Sequence, residues 1–335
     1  MVTTTKGDLP CGQQELVTST CSTDCSTDAA GAAKISNPIP AVVAELAAEF
    51  KSGRLTSHIE PVPIPSKEEV IKLVEQVQRI LFPGFFTSMI LRPENLEYYL
   101  GQELSLLYEN LARQISSAIR HNCFRHNQEC TRCGERSYEL AAQLVESLPQ
   151  IRRLLESDIE ATLEGDPAAA NRDEVIFSYP GLFAILVYRL AHKLHQLEVP
   201  LLPRIMSEHA FHRTAIDINP AASIGGKFFI DHGAGVVIGS TTQIGYQVRI
   251  YQGVTLGALS LPRDAGEKLR NVKRHPTIED NVIIYANATI LGGETVVGAR
   301  SVIGGNVWVT ESISPDTKVL LEQPQLLYLG QGEEI

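Results

Sequence analysis

In the stretch FFIDHGAGVVIG, residues 228–239, an acid and an imidazole, Asp231 and His232, interrupt two aliphatic runs. A histidine titrates near neutrality and can accept a proton from an alcohol. A second candidate, His275, stands between Arg274 and Pro276 in KRHPTI. A histidine base works better when a carboxylate holds its tautomer and stabilises the imidazolium. Asp217, 15 residues before His232, is the candidate carboxylate. Residue types alone leave open that both histidines are ordinary surface groups.

What positions these residues is a repeat of six that starts after Ile216. Its aliphatics are Ile224, Ile230, Ile238, Ile244, Ile250, Leu256, Ile278, Ile284, Leu291, Val297 and Ile303. An amphipathic helix repeats near 3.6 and a half-buried strand at 2. A period of six with small residues after the aliphatic predicts short strands joined by tight corners, every aliphatic pointing inward. Three hexads make one triangular coil of about 18 residues, and stacked coils bury each other's faces. On that count Asp217 lies roughly one coil below His232. An antiparallel sheet with aliphatic alternation would not hold this register. The step breaks in three places. Two extra residues in DHGAGVV push Asp231 and His232 out of the wall. Residues 258–276 form one large loop carrying Arg263, Lys268, Arg270, Lys273 and Arg274. One further residue enters between Ile284 and Leu291. Both candidate histidines thus sit where the register fails.

The chain has 335 residues, 44% hydrophobic and 20% charged, enough for two domains. The expected class is α+β: an N-terminal α-helical domain followed by a left-handed parallel β-helix of hexapeptide repeats. Residues 1–60 read as a weakly structured tail and linker, with a short helix in VVAELAAEF. Residues 61–215 read as helical, 216–312 as the solenoid and 313–335 as a C-terminal tail. SKEE, with Ser66 and Glu69, is a capping box. Val70, Ile71, Val74, Val77 and Leu81 follow at helical spacing, and further helices are expected over 94–120, 138–163 (interrupted by Pro149), 180–197 and 201–212. A net charge of -10 argues against a nucleic-acid partner. No apolar run reaches 18 residues and no signal peptide is recognisable, so a cytoplasmic protein without a membrane segment is expected.

The hexads, with IDINP, FFIDHGAG, YQGVTLGA and KRHPTI in this order, closely resemble the serine O-acetyltransferase family of hexapeptide-repeat acyltransferases. The resemblance covers about residues 160–312 and extends more weakly over the helical domain. It implies transfer of acetyl from acetyl-CoA to the hydroxyl of L-serine, the step before cysteine synthesis, with no tightly bound cofactor. By the resemblance His232 is the general base, Asp217 orients it, and Arg274 with His275 binds the serine carboxylate. Asp231 contacts the serine amine, and EGDPAA supplies Asp166 and Pro167 as further substrate contacts. Acetyl-CoA lies near Gly257, Ala258, Ala286 and Gly304. Two positions depart from the pattern: Asn219 replaces a histidine after IDI, and Ala258 replaces a glycine after VTLG. No cysteine lies at a register break, which implies direct transfer without an acyl-enzyme. The family also implies a homotrimer or a dimer of trimers, with active sites between neighbours. Feedback by cysteine is a further family expectation. The ending GQGEEI, with Ile335 last, resembles a tail read by cysteine synthase; a frayed acidic terminus is the alternative.

HNCFRHNQECTRC, residues 121–133, is compatible with zinc or an iron–sulfur cluster, but no second CxxC completes a four-thiolate site. Reduced structural cysteines without metal, at Cys123, Cys130 and Cys133, are expected. Competing functions are an acetyltransferase for sugars or amines on the same solenoid, a solenoid carbonic anhydrase, and a non-catalytic assembly protein. The second needs three histidines on zinc, and the solenoid offers only His232 and His275.

Overall fold

The computed structural model describes residues 37–51, 58, 62–129, 131–259 and 272–322. The chain divides into two compact units, Met1–Pro61 and Val62–Ile335. Within the first, α1 (Ile39–Lys51) buries none of its residues.

The second unit begins with six helices: α2 (Lys67–Leu81), α3 (Pro93–Arg125), α4 (Cys133–Gly165), α5 (Arg172–Ser178), α6 (Pro180–Gln196) and α7 (Leu202–Thr214). The start of α2 is as the sequence predicts, with one change. Ser66 Oγ accepts the Glu69 amide, but the Ser66 amide donates to Gln114 on α3, 2.9 Å away, not to Glu69. Ile71 is only partly buried, and Leu73 and Ile80 fill the core face beside Val70, Val74 and Val77. Pro149 does not end α4. It removes one N–H donor, while Leu144, Leu148, Ile151 and Leu155 on either side are buried in the common core and hold the helix. Helix α5 was not foreseen; Asn171 caps it through the Glu174 amide.

Among the described residues the backbone after Ile216 forms fourteen short strands in three parallel sheets. One sheet runs β1 (Asp217–Ile218), β4 (Val237–Ile238), β7 (Thr255–Gly257), β10 (Thr289–Leu291) and β13 (Trp308–Val309). The second holds β2 (Ser223–Ile224), β5 (Gln243–Ile244), β8 (Thr277–Ile278) and β11 (Val296–Val297). The third holds β3 (Phe229–Asp231), β6 (Arg249–Tyr251), β9 (Ile283–Ile284), β12 (Val302–Ile303) and β14 (Lys318–Val319). The chain visits the three sheets in rotation from β1 to β13, and on the last coil an isolated bridge from Ile313 to Val297 stands for the second sheet before β14: this is the left-handed parallel β-helix. The inward aliphatics stack coil on coil, as in Ile230, Ile250, Ile284 and Ile303. Each fully buried side chain of this kind is worth about 1.5–3 kcal/mol. One register is corrected: Ile290, not Leu291, pairs with Leu256. The extra residue therefore follows β10, where Gly292 takes φ +108°.

The small residues after the aliphatics answer to space: a Cβ on Gly225 or Gly245 would collide with the next coil. Every turn from the second sheet to the third places one residue in the left-handed region: Lys227, Gln247, Asn281, Arg300 and Asp316. Turns from the third sheet to the first use Gly253, Asn287 and Asn306. Asparagine and glycine tolerate that backbone best. The lowest such turn carries the two extra residues, and there His232 (φ +54°), Gly233 and Gly235 all have positive φ. A Cβ on Gly233 would stand 2.5 Å from Ile216 Cδ1, so the bulge is folded tightly over the core at Gly233 while His232, Ala234 and Gly235 are exposed.

A buried ion pair joins the helices to the lowest coil. Arg189 on α6 donates to both oxygens of Asp158 on α4, 2.7 Å each. Asp158 also accepts the Phe228 amide, and Arg189 donates to the Gly225 carbonyl.

Candidate active site

At the turn between β3 and β4 the His232 ring is 76% exposed. Its Nε2 lies 3.8 Å from Asp231 Oδ1, too far for a hydrogen bond. Asp231 is itself only 13% exposed. Burial pushes its carboxyl up, His232 opposes this, and the charge of Asp166 reinforces it. Asp166 follows the last turn of α4. Its Oδ1 accepts the Ala168 amide at 2.8 Å and its Oδ2 the Tyr179 hydroxyl at 2.7 Å. Those two bonds hold the Asp166 carboxyl below the usual range. Two acids and one imidazole thus meet at one corner, brought there by the stutter in the coil and by the end of a helix. Pro167 is exposed beside them.

Asp217 flanks the same corner. Its amide donates to the Val236 carbonyl at 2.9 Å. Burial raises its carboxyl, against the pull of Arg204 and with the help of Glu208, both on α7. Among the described residues, no hydrogen bond joins Asp217 to the His232 ring of the same chain.

His275 occupies a different corner, between the first sheet and the second. It is 8% exposed and packs over Gly239, where any Cβ would collide with the ring. Its Nδ1 accepts the Thr241 amide at 3.1 Å, and the Thr241 hydroxyl is 2.8 Å away. An amide can only donate, so the proton of the neutral ring is on Nε2. Burial, then Arg274 and Lys273, bring its pKa down to about 4. At neutral pH His275 is therefore an uncharged N–H donor and not a proton acceptor. Arg274 donates to Ser240 Oγ at 2.7 Å. Lys273 locks the turn by donating to the carbonyls of Thr241 and His275, at 2.9 and 2.7 Å.

The other sequence candidates divide between the same two corners. Ala286 and Gly304 lie where the third sheet turns into the first, above His232. Gly257 and Ala258 lie at the end of β7, on the His275 side. Asn219 turns its side chain back to accept the Ala221 amide at 3.0 Å, a local turn that needs no histidine. Most of the basic loop, 260–271, and Ile335 lie outside the described residues. Cys123 is a free thiol, but Cys133 is disulfide-bonded, against the expected reduced state; that expectation rested on compartment, which the fold does not encode. Cys130 lies outside the described residues. Among the described residues no group of three His, Cys, Asp or Glu side chains is arranged to hold a metal, and no single helix is long and apolar enough to cross a membrane.

Sequence reasoning missed Tyr179, Arg249 and Thr241, and read Lys273 only as one charge of the basic loop. Thr241 had a signal: 34 residues separate it from His275, about one coil plus the loop. Tyr179 had none.

No family model matches the chain. The plasmid-borne serine acetyltransferase of Synechococcus elongatus is 46% identical over 258 residues, covering 75% of this chain and 80% of that protein. The Bacillus subtilis serine acetyltransferase is 40% identical over 183 residues, 55% of this chain and 80% of that one. Among solved structures, serine acetyltransferase 1 of Entamoeba histolytica in complex with L-cysteine aligns with a TM-score of 0.65 at 35% identity, covering 77% and 87% of the two chains. A coil-by-coil hexapeptide solenoid with an acid–histidine pair on its stutter, and this extent of identity, have one reading: the chain belongs to the serine acetyltransferase family of hexapeptide-repeat acyltransferases.

Proposed function

We infer that the chain carries out its family's reaction with His232 as the base. It transfers the acetyl group of acetyl-CoA to the hydroxyl of L-serine, giving O-acetyl-L-serine and CoA. A serine hydroxyl is a poor nucleophile at neutral pH. His232 takes its proton as the oxygen attacks the thioester carbon, and the tetrahedral intermediate collapses with loss of CoA thiolate, which recovers that proton from His232 to leave as the thiol. General-base help of this kind is worth roughly 10²–10⁴-fold; alignment and oxyanion donors supply the rest. Asp231 and Asp166 hold the serine ammonium, with Pro167 at the rim. Asp217 orients the imidazolium once the ring turns toward it. What supports this reading most is the meeting of His232, Asp231 and Asp166 at one exposed corner.

Arg274 and His275 are the carboxylate-binding pair, as guanidinium and neutral N–H donor. They stand at another corner of the same prism, so the reading requires a second copy: a homotrimer in which the His275 corner of one chain faces the His232 corner of its neighbour. Gly257 and Ala258 from one copy, and Ala286 and Gly304 from the next, then line the acetyl-CoA channel. A dimer of such trimers remains within the reading. Cysteine, which shares serine's ammonium and carboxylate, competes at the same groups; the Entamoeba relative is described in complex with L-cysteine. The C-terminal Ile335 is offered to cysteine synthase, and the protein works in the cytoplasm. Release of CoA thiol with serine, homoserine and a set of sugars as acceptors tests the assignment. Serine alone should turn over well; a sugar accepted at a higher kcat/KM would overturn it.

A further inference from the structure

We propose that Tyr179 is a positioning residue for the acceptor: its phenol anchors one oxygen of Asp166 so that the carboxylate is already in place for the ammonium group of serine. The proposal rests on the reading of Asp166 as an amine contact. Asp166 stands just past the end of α4, where a side chain is ordinarily mobile. The Ala168 amide restrains Oδ1 locally, and among the described residues only Tyr179 ties the carboxylate to another element, at 2.7 Å through Oδ2.

That anchor is itself fixed. Tyr179 caps the start of α6, and two residues on, Gly181 lies so close to the Ile230 carbonyl that a Cβ would collide with it. Ile230 immediately precedes Asp231. One rigid joint therefore sets both acids, Asp231 through the chain and Asp166 through the phenol. From the other side Arg249 donates to the Gly165 carbonyl at 2.9 Å. A Cβ on Gly165 would stand 2.6 Å from that guanidinium and 2.8 Å from the Phe229 ring, so the end of α4 cannot drift. The charges facing the pair are His232 and Arg249 toward Asp166, and Glu174 and Asp231 toward Tyr179. Burial and the bond to Asp166 raise the phenol to about 12, which keeps it a donor throughout the working range. Fixing the carboxylate before serine arrives removes an ordering cost from binding.

The test is steady-state kinetics on the full chain with serine and acetyl-CoA, using Tyr179→Phe, Asp166→Asn and the double variant. Tyr179→Phe should raise KM for serine about tenfold, the scale of one hydrogen bond to a charged group. Its kcat should fall less than roughly threefold, with KM for acetyl-CoA unchanged. Adding Tyr179→Phe to Asp166→Asn should cost nothing further. If Asp166→Asn raises KM for serine but Tyr179→Phe leaves KM for serine unchanged, Tyr179 is only structural and the proposal is wrong. Equal weakening of both substrates in Tyr179→Phe, with a lowered Tm, also overturns it. If Asp166→Asn leaves KM for serine unchanged, the amine-contact reading itself is withdrawn, and the proposal with it.

Discussion

If His232 and His275 act on one serine, they must come from different copies of the chain. His232 is at the turn from the third sheet to the first, and His275 packs over Gly239 at the turn from the first sheet to the second. One side of the triangle separates them, six residues at 3.3 Å each, or on the order of 15–20 Å. No single hydroxyl reaches both rings across that span. Two variants separate the contributions. His232→Ala removes the base, and His275→Asn keeps an acceptor for the Thr241 amide while shortening the donor. Each alone should be nearly inactive, by about 10³-fold and about 10²-fold. Mixed in equal amounts and allowed to exchange subunits, they should recover. A working site needs an intact His232 from one chain and an intact His275 from its neighbour, each present half the time. About one quarter of the sites in a closed cyclic trimer are then whole. Thiol release on the mixture, with exchange verified by native mass spectrometry, reads this directly. Activity no greater than the sum of the parents after full exchange would refute the shared site.

Two further outcomes follow from buried groups in the same framework. His275 has its pKa lowered from 6.5 to about 4 by burial, so below pH 6.5 the unfolded chain binds a proton that the folded chain refuses. Stability is therefore lost as pH falls from 6.5 to 4 and levels off below. Thermal melts across that window should show the loss in the wild type and a shallower slope in His275→Asn; parallel slopes would count against the assignment. Arg189→Met should destabilise the fold by about 3–5 kcal/mol, because Asp158, fully buried, keeps only the Phe228 amide. Urea unfolding that finds less than about 1 kcal/mol would mean the pair contributes little.

Much of the solenoid was legible because aliphatic and small residues recur every sixth position, and stacking forces that register. Where two aliphatics are adjacent, as at Ile290 and Leu291, the pattern cannot say which points inward, and the inserted residue was misplaced by one coil side. The stutter at Asp231–His232 was legible as a surface bulge, and the structure shows why: Gly233 folds against Ile216, leaving the imidazole outside. Other features depend on contacts between distant segments. The loop hides that Thr241 and His275 are neighbours one coil apart. Neither the bond from Tyr179 to Asp166 nor the Gln114 cap on α2 leaves any local trace in the sequence. Helix α5 is seven residues long, too short for a periodic pattern to emerge.

The central claim is that the outward imidazole of His232 is the base that deprotonates serine. Turnover of His232→Ala, purified as an assembled and folded protein, at saturating serine and acetyl-CoA, tests it most directly. Its kcat should fall by about 10³-fold with both KM values little changed. A variant that turns over within a fewfold of the wild type would contradict it.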